Sequence, residues 1–275
     1  MDFKLSAEKI RKYFHGYGIN TDMPGFYDDP KFLELEKENP NLLNSYASLI
    51  NQTIFDKKYL DEAEKKITGV ASILNNELKK DGRQGACIDS STVLSRILDK
   101  EGIWNYISKG SLTITFPPGS GVTKKYFWTI DTGEYAAAHA WVIAPPFKLV
   151  DISVRQQPYS GSEESYLPDI ILQKEVMYSK VDLADIVAPQ ILAYLKSATG
   201  GNKQLMMASL GPNLAPFTSF FKPFSFTLNK VNYKYTPTGI AASDLPLEEI
   251  TSLKLNGRYG IDIYQSQILN KRIIE

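Results

Sequence analysis

The hydrophobic period of this chain changes at Gly102, and that change restricts the fold more than any other feature. Before it, apolar positions recur at helical spacing. Residues 59–80 place Leu60, Ala63, Ile67, Val70, Ala71, Leu74 and Leu78 on one stripe, with Asp81-Gly82 as a stop signal. A shorter helix is predicted around residues 41–55, carrying Leu42, Leu43, Tyr46, Leu49 and Ile50. Residues 16–30, rich in Gly, Asp, Asn and Pro, read as an ordered loop. A further helix over residues 87–101 turns Val93, Leu94, Ile97 and Leu98 inward and ends at Gly102. From Ile103 onward, residues 104–107, 112–116, 126–130, 138–144 and 148–154 are short β-branched or aromatic runs between turn residues. Pro145-Pro146-Phe147-Lys148 joins the last two as a hairpin. Helices followed by a meander define an α+β fold, with the 87–101 helix packed on an antiparallel sheet.

Past residue 154 the pattern loosens. Residues 182–197 read as helical, divided by Pro189. Gly200-Gly201 reads as a joint. Residues 217–235 alternate, with Phe224, Phe226, Leu228, Val231, Tyr233 and Tyr235 as strand positions. The apolar stretch 205–224, broken by Pro and Gly, reads as a loop packed across the core or as a lid over a site. The expected organisation is a helical region (residues 1–81), a central core (82–155) and an α/β extension (156–275) that can cover the site.

Charge and cysteine content narrow the function. Basic and acidic side chains balance at 31 each, so no overall field draws the chain to nucleic acid or an anionic membrane. A single cysteine excludes an internal disulfide and any multi-cysteine metal centre, and two histidines do not suggest a zinc site. No metal or cofactor is expected. No apolar run is long enough to span a bilayer, and residues 1–20 contain no signal-peptide core. The expectation is a cytoplasmic protein of a reducing compartment, although an effector exported by another route would look the same. The sequence leaves the oligomeric state open.

The one arrangement that proposes a specific chemistry begins at Cys87, in Gly82-Arg-Gln-Gly-Ala-Cys87, where a turn-forming run meets the 87–101 helix. A thiol attacks as its thiolate, which a helix N-terminus or a neighbouring imidazolium favours. His139, in Ala-Ala-Ala-His139-Ala-Trp-Val, would supply the imidazolium and the proton for the leaving group. Asp151, in Lys-Leu-Val-Asp151, would hold the ring by accepting its other N–H. A hairpin turning at residues 145–148 pairs Ile143 with Leu149 near the turn and sets His139 roughly opposite Asp151 or Ser153. Oxyanion or substrate contacts would come from the Cys87 amide with Gln84, Trp128 or Trp141. Each residue also has a plain reading: a small buried thiol, a core histidine, an aspartate ending a strand. His15, among Tyr13, Phe14 and Tyr17, reads as structural.

These residues resemble the transglutaminase-like superfamily, a branch of the papain-like cysteine enzymes. The resemblance rests on Gly85-Ala-Cys87, on Leu94-Ser-Arg-Ile-Leu-Asp-Lys-Glu-Gly102-Ile103, on His139-Ala140-Trp141-Val142 and on Val150-Asp151-Ile152-Ser153. It covers roughly residues 82–155; the aspartate strand lacks the family's Trp before Val-Asp and its Pro after. It implies a Cys87–His139–Asp151 triad that acts on a peptide, protein or small amide through a Cys thioester, more as a hydrolase than as a transferase. Arg83-Gln-Gly-Ala-Cys87 also partly echoes the Arg-Gly-Gly-x-Cys element of arylamine N-acetyltransferases, one glycine being replaced by Gln84. That second resemblance implies an acetyl-CoA enzyme. A non-catalytic module that keeps the papain-like fold for binding is the alternative from a different class.

Overall fold

Ser6, Asp29 and Asp56 open three of the N-terminal helices, each side chain accepting a backbone N–H of the first turn. The computed structural model describes residues 4–131 and 138–269. Its N-terminal part consists of α1 (Ala7–Gly16), α2 (Pro30–Glu38), α3 (Leu42–Gln52), α4 (Lys57–Asp81) and α5 (Cys87–Lys100). The α4 and α5 bounds follow the apolar stripes closely. Pro30 at the first position of α2 starts a helix where the sequence suggests the end of a loop, because that position needs no N–H. A 3₁₀ turn, Phe26–Asp28, lies within the same glycine-rich stretch.

The sheet follows, formed by β1 (Tyr106–Thr115), β2 (Lys125–Phe127), β3 (His139–Ala144), β4 (Phe147–Asp151), β5 (Ile171–Gln173) and β6 (Met177–Tyr178). Helices α6 (Leu183–Ile186), α7 (Pro189–Thr199), α8 (Lys203–Leu210) and α9 (Leu214–Phe220) separate these from β7 (Phe224–Leu228) and β8 (Val231–Ala241). A small hairpin, β9 (Lys254–Leu255) with β10 (Arg258–Tyr259), leads into α10 (Gly260–Ile263). Among the described residues the main sheet has eight strands in the order β5-β4-β3-β1-β8-β7-β6, with β2 also on β1. All its pairings are antiparallel. The architecture is α+β.

Four local expectations change. The 104–107 and 112–116 runs merge into one strand, β1, that covers only residues 106–115, because Gly110 continues the strand instead of ending it. An added Cβ there would lie 2.0 Å from the Thr236 carbonyl oxygen, so glycine lets β8 cross β1 at the register shift after Lys109. The 126–130 run is shortened to β2, and Ile130 instead makes an isolated bridge to Val187. The apolar stretch 205–224 is mostly two helices: Asn202 caps α8, and Met206, Met207 and Phe217 are buried. Phe217 is therefore helical, and the strands of the 217–235 run begin at Phe224. Pro189 divides its segment as expected, opening α7 at the first helical position.

Two apolar clusters account for the layers. One joins Val93, Leu94, Ile97 and Leu98 of α5 with Ala140, Val142 and Ala144 of β3 and Val150 of β4. Alanines at 140 and 144 let the helix lie close on the strand. The other gathers Trp141 and Ile143 of β3 and Leu149 of β4 with β7, β8 and the N-terminal helices. Successive residues of β3 therefore serve opposite layers, which is why the strand is buried along its whole length. Residues beyond 156 contribute β8 to the middle of this sheet, against β1.

A buried ionic network fixes the far end of α5. Arg96 donates to Asp99 at 3.1 Å, to Asp28 at 2.7 Å and to the Leu245 carbonyl, and lies over the Tyr27 ring. Burial raises the Asp99 carboxyl to about 6 against the opposing pull of Arg96 and Tyr27.

Candidate active site

Cys87 is the first residue of α5, and its position is set by the loop before it. Gly85 takes the left-handed conformation (φ 72°), and its N–H donates to the Gln156 carbonyl at 2.8 Å. Gln156 belongs to a 3₁₀ turn, Val154–Gln156, which follows the strand carrying Asp151. Arg83 reinforces the loop by pairing with Asp89 at 2.7 Å and donating to the Lys254 carbonyl. No side chain caps the α5 N-terminus, so the first-turn amides keep their partial positive charge beside the sulfur.

His139 opens β3 and is fully buried. Its Nε2 lies 2.5 Å from Asp151 Oδ2. The hairpin register that pairs Val142 with Val150 extends to bring the 139 and 151 side chains together on one face, as the sequence geometry expects. Asp151 is held from three other directions. Oδ1 accepts the Ser153 N–H at 2.9 Å and the Ser153 hydroxyl at 3.3 Å, and Oδ2 accepts the Tyr235 hydroxyl at 2.9 Å. The imidazole lies among Phe127, Trp141 and Tyr235, with the Trp141 ring nearly parallel and centred 6.2 Å away.

The other ring nitrogen, Nδ1, is buried and has no aligned hydrogen-bond partner among the described residues. The Cys87 thiol points to the Ala138 carbonyl, 3.8 Å from Sγ, at the residue just before His139. The sulfur is nonetheless close enough to act on the ring. Burial favours the neutral imidazole, but the Asp151 carboxylate and then Cys87 outweigh it and raise His139 to about 10. Asp151 responds oppositely. Burial pushes it up, but the imidazolium and its hydrogen-bond donors hold it below the usual carboxylate range. Cys87 thus lies close to the ring without an aligned hydrogen bond to it.

The three auxiliary residues fare differently. Trp128 is not an available oxyanion donor: its indole N–H is spent on the Ala184 carbonyl at 3.0 Å, because the segment after β2 meets the end of α6, where Ile130 bridges Val187. Trp141 is fully buried on the His139 side of β3, and its indole N–H lacks a partner among the described residues. Gln84 is exposed and lines a groove with Arg83, Arg155 and Gln156. Sequence reasoning missed Tyr235 as a member of the site. Its one available signal was a tyrosine on an apolar alternating strand, whose buried hydroxyl needs an acceptor.

No protein-family model, curated protein or solved structure matches this chain. Among the described residues no cluster of three or more His, Cys, Asp or Glu could hold a metal ion, and no helix is long and apolar enough to cross a membrane.

Proposed function

We propose that this protein is a cysteine-dependent acyl-transfer enzyme of the transglutaminase-like, papain-like type, with Cys87, His139 and Asp151 as its triad. The observation that carries this reading is the state of His139. One nitrogen is bound to a buried, multiply held carboxylate, and the other is unpartnered beside a cysteine that opens a helix. A core histidine that merely filled space would have both nitrogens satisfied.

In the reaction, the Cys87 thiolate attacks the acyl carbon of an amide or ester, and the carbonyl π electrons move to oxygen. The Cys87 amide at the uncapped helix start would donate to that oxyanion. Collapse breaks the bond to the leaving nitrogen or oxygen, which takes the proton from His139 Nδ1 and leaves a Cys87 thioester. Water, or an amine in a transferase, then gives its proton to Nδ1 as it attacks the thioester carbon, and the thiolate is released. Asp151 keeps the ring oriented and charged while the proton is on it. Hydrolysis of a peptide, protein or small amide is the favoured outcome.

One observation favours the alternative of a non-catalytic binding module: Cys87 is only 4% exposed, and its thiol points to a carbonyl. Iodoacetamide alkylation followed by intact mass separates the two readings. Labelling of native protein that persists to about pH 6 and falls at least tenfold in His139→Ala supports the enzyme. Labelling that follows an ordinary thiol titration, or that needs unfolding, refutes it.

A further inference from the structure

We propose a second ligand site, independent of Cys87, that takes a small organic anion with a flat apolar body. It is a cavity of about 320 Å³ between the end of α3, the sheet and the end of α9. That volume lies within the range of pockets built for small molecules. Tyr106, Phe221 and Phe224 form aromatic walls, and Lys148 and Lys222 stand at its rim. No aspartate or glutamate lines it, and neither lysine has an ion-pair partner among the described residues. Two uncompensated cations over an aromatic slot favour an anion whose body can stack.

The floor gives a second, separate observation. Ser108 lines the cavity, is 2% exposed, and its hydroxyl has no hydrogen-bond partner among the described residues. Buried hydroxyls are rarely left unpaired, so this one points to a partner supplied from outside the chain. The ligand therefore has an anionic group at the lysines, an aromatic or compact apolar middle and a hydroxyl or carbonyl at its inner end. The site is distinct from the triad. None of Cys87, His139 and Asp151 lines it, although Ser108 on its floor pairs with Trp141, two residues along β3 from His139.

The test uses 6-hydroxy-2-naphthoate as probe, by isothermal titration against the full chain. Saturable one-to-one binding is expected, weakened about tenfold when the probe's carboxylate is replaced by its neutral amide. The double variant Lys148→Gln/Lys222→Gln, altered only at exposed positions, should lose a similar factor and keep its Tm. Ser108→Ala, which has no native bond to lose, should keep its Tm and bind about threefold more weakly. Absence of saturable binding, or an affinity indifferent to probe charge, to the lysines or to Ser108, would overturn the proposal.

Discussion

Replacing Tyr235 by Phe isolates the contact that β8 makes with the candidate triad. The Tyr235 ring is fully buried and packed on Phe224, Phe226 and Trp141, so the isosteric change leaves that packing in place. What is lost is one hydroxyl donated to Asp151 Oδ2 at 2.9 Å. Hydrogen bonds to a charged group contribute about 1.5–3 kcal/mol, and a buried carboxylate stripped of a donor also keeps its desolvation cost. Nothing near Oδ2 compensates, since His139 already occupies it and Ser153 serves Oδ1. The expected loss is therefore about 2 kcal/mol at neutral pH, read as a lowered urea midpoint at unchanged m-value. For a chain of 275 residues that corresponds to a Tm lowered by about 3–4 °C. The loss should shrink once acid protonates Asp151. An unchanged midpoint would mean that Asp151 does not depend on β8, and a loss independent of pH would mean that the effect comes from packing and not from the carboxylate.

The His139–Asp151 pair sets a pH dependence of its own. His139 is raised in the folded chain, so its contribution is complete below its ordinary value of 6.5 and is lost as pH rises through about 10. Asp151 is lowered, so its contribution is complete above 3.8 and is lost as pH falls through its folded value. The stability gap between wild type and Asp151→Asn should be widest near pH 5–6 and narrow toward about pH 10 in urea titrations, the Ser153 and Tyr235 bonds to the carboxylate leaving a remainder; a gap constant across that range would contradict the pairing. Gly110→Ala tests the crossing of β1 and β8 beside His139. Its Cβ would meet the Thr236 carbonyl oxygen at 2.0 Å and Pro237 Cα at 3.0 Å, so a loss of about 2 kcal/mol or more is expected, and an unchanged urea midpoint would refute the close approach.

The parts of the fold legible in the sequence are those whose partners lie nearby along the chain. The α4 and α5 stripes and the prolines of the hairpin turn each depend on spacing within about twenty residues, although Phe147 and Lys148, expected in that turn, already belong to β4. The His139–Asp151 contact was readable for the same reason, since a hairpin converts twelve residues of separation into adjacency. Tyr235 lies 84 residues from Asp151 and reaches it only because β8 pairs with β1, and no local period announces that pairing. Gly110 misleads for a related reason. Glycine inside an alternating run suggests a break, yet its role is to admit a strand from the far end of the chain. Trp128 failed as a donor because its partner, the Ala184 carbonyl, lies on a helix 56 residues later.

The candidate triad also depends on a feature of layering that spacing alone does not convey. Cys87 belongs to the apolar cluster of α4 and α5, with Ala140 and Val142, while the His139 ring lies among Trp141, Tyr235 and Phe127 of the other layer. Neighbouring residues of β3 point to opposite faces, so thiol and imidazole can meet only at the strand's end, where Ala138 leads into the sheet. Their relative position is then set by how far the first turn of α5 overhangs that end. The Gly85 amide bound to Gln156 fixes the overhang, because it ties the cysteine loop to the turn that follows Asp151. All three residues of the candidate triad are thereby referenced to the β3–β4 hairpin: His139 and Asp151 as members of it, Cys87 through one backbone bond to the segment that leaves it. A thiol carried on a different layer from an imidazole can still be held in register with it at such a corner, and the short β4 after a tight turn keeps that corner close to the helix start.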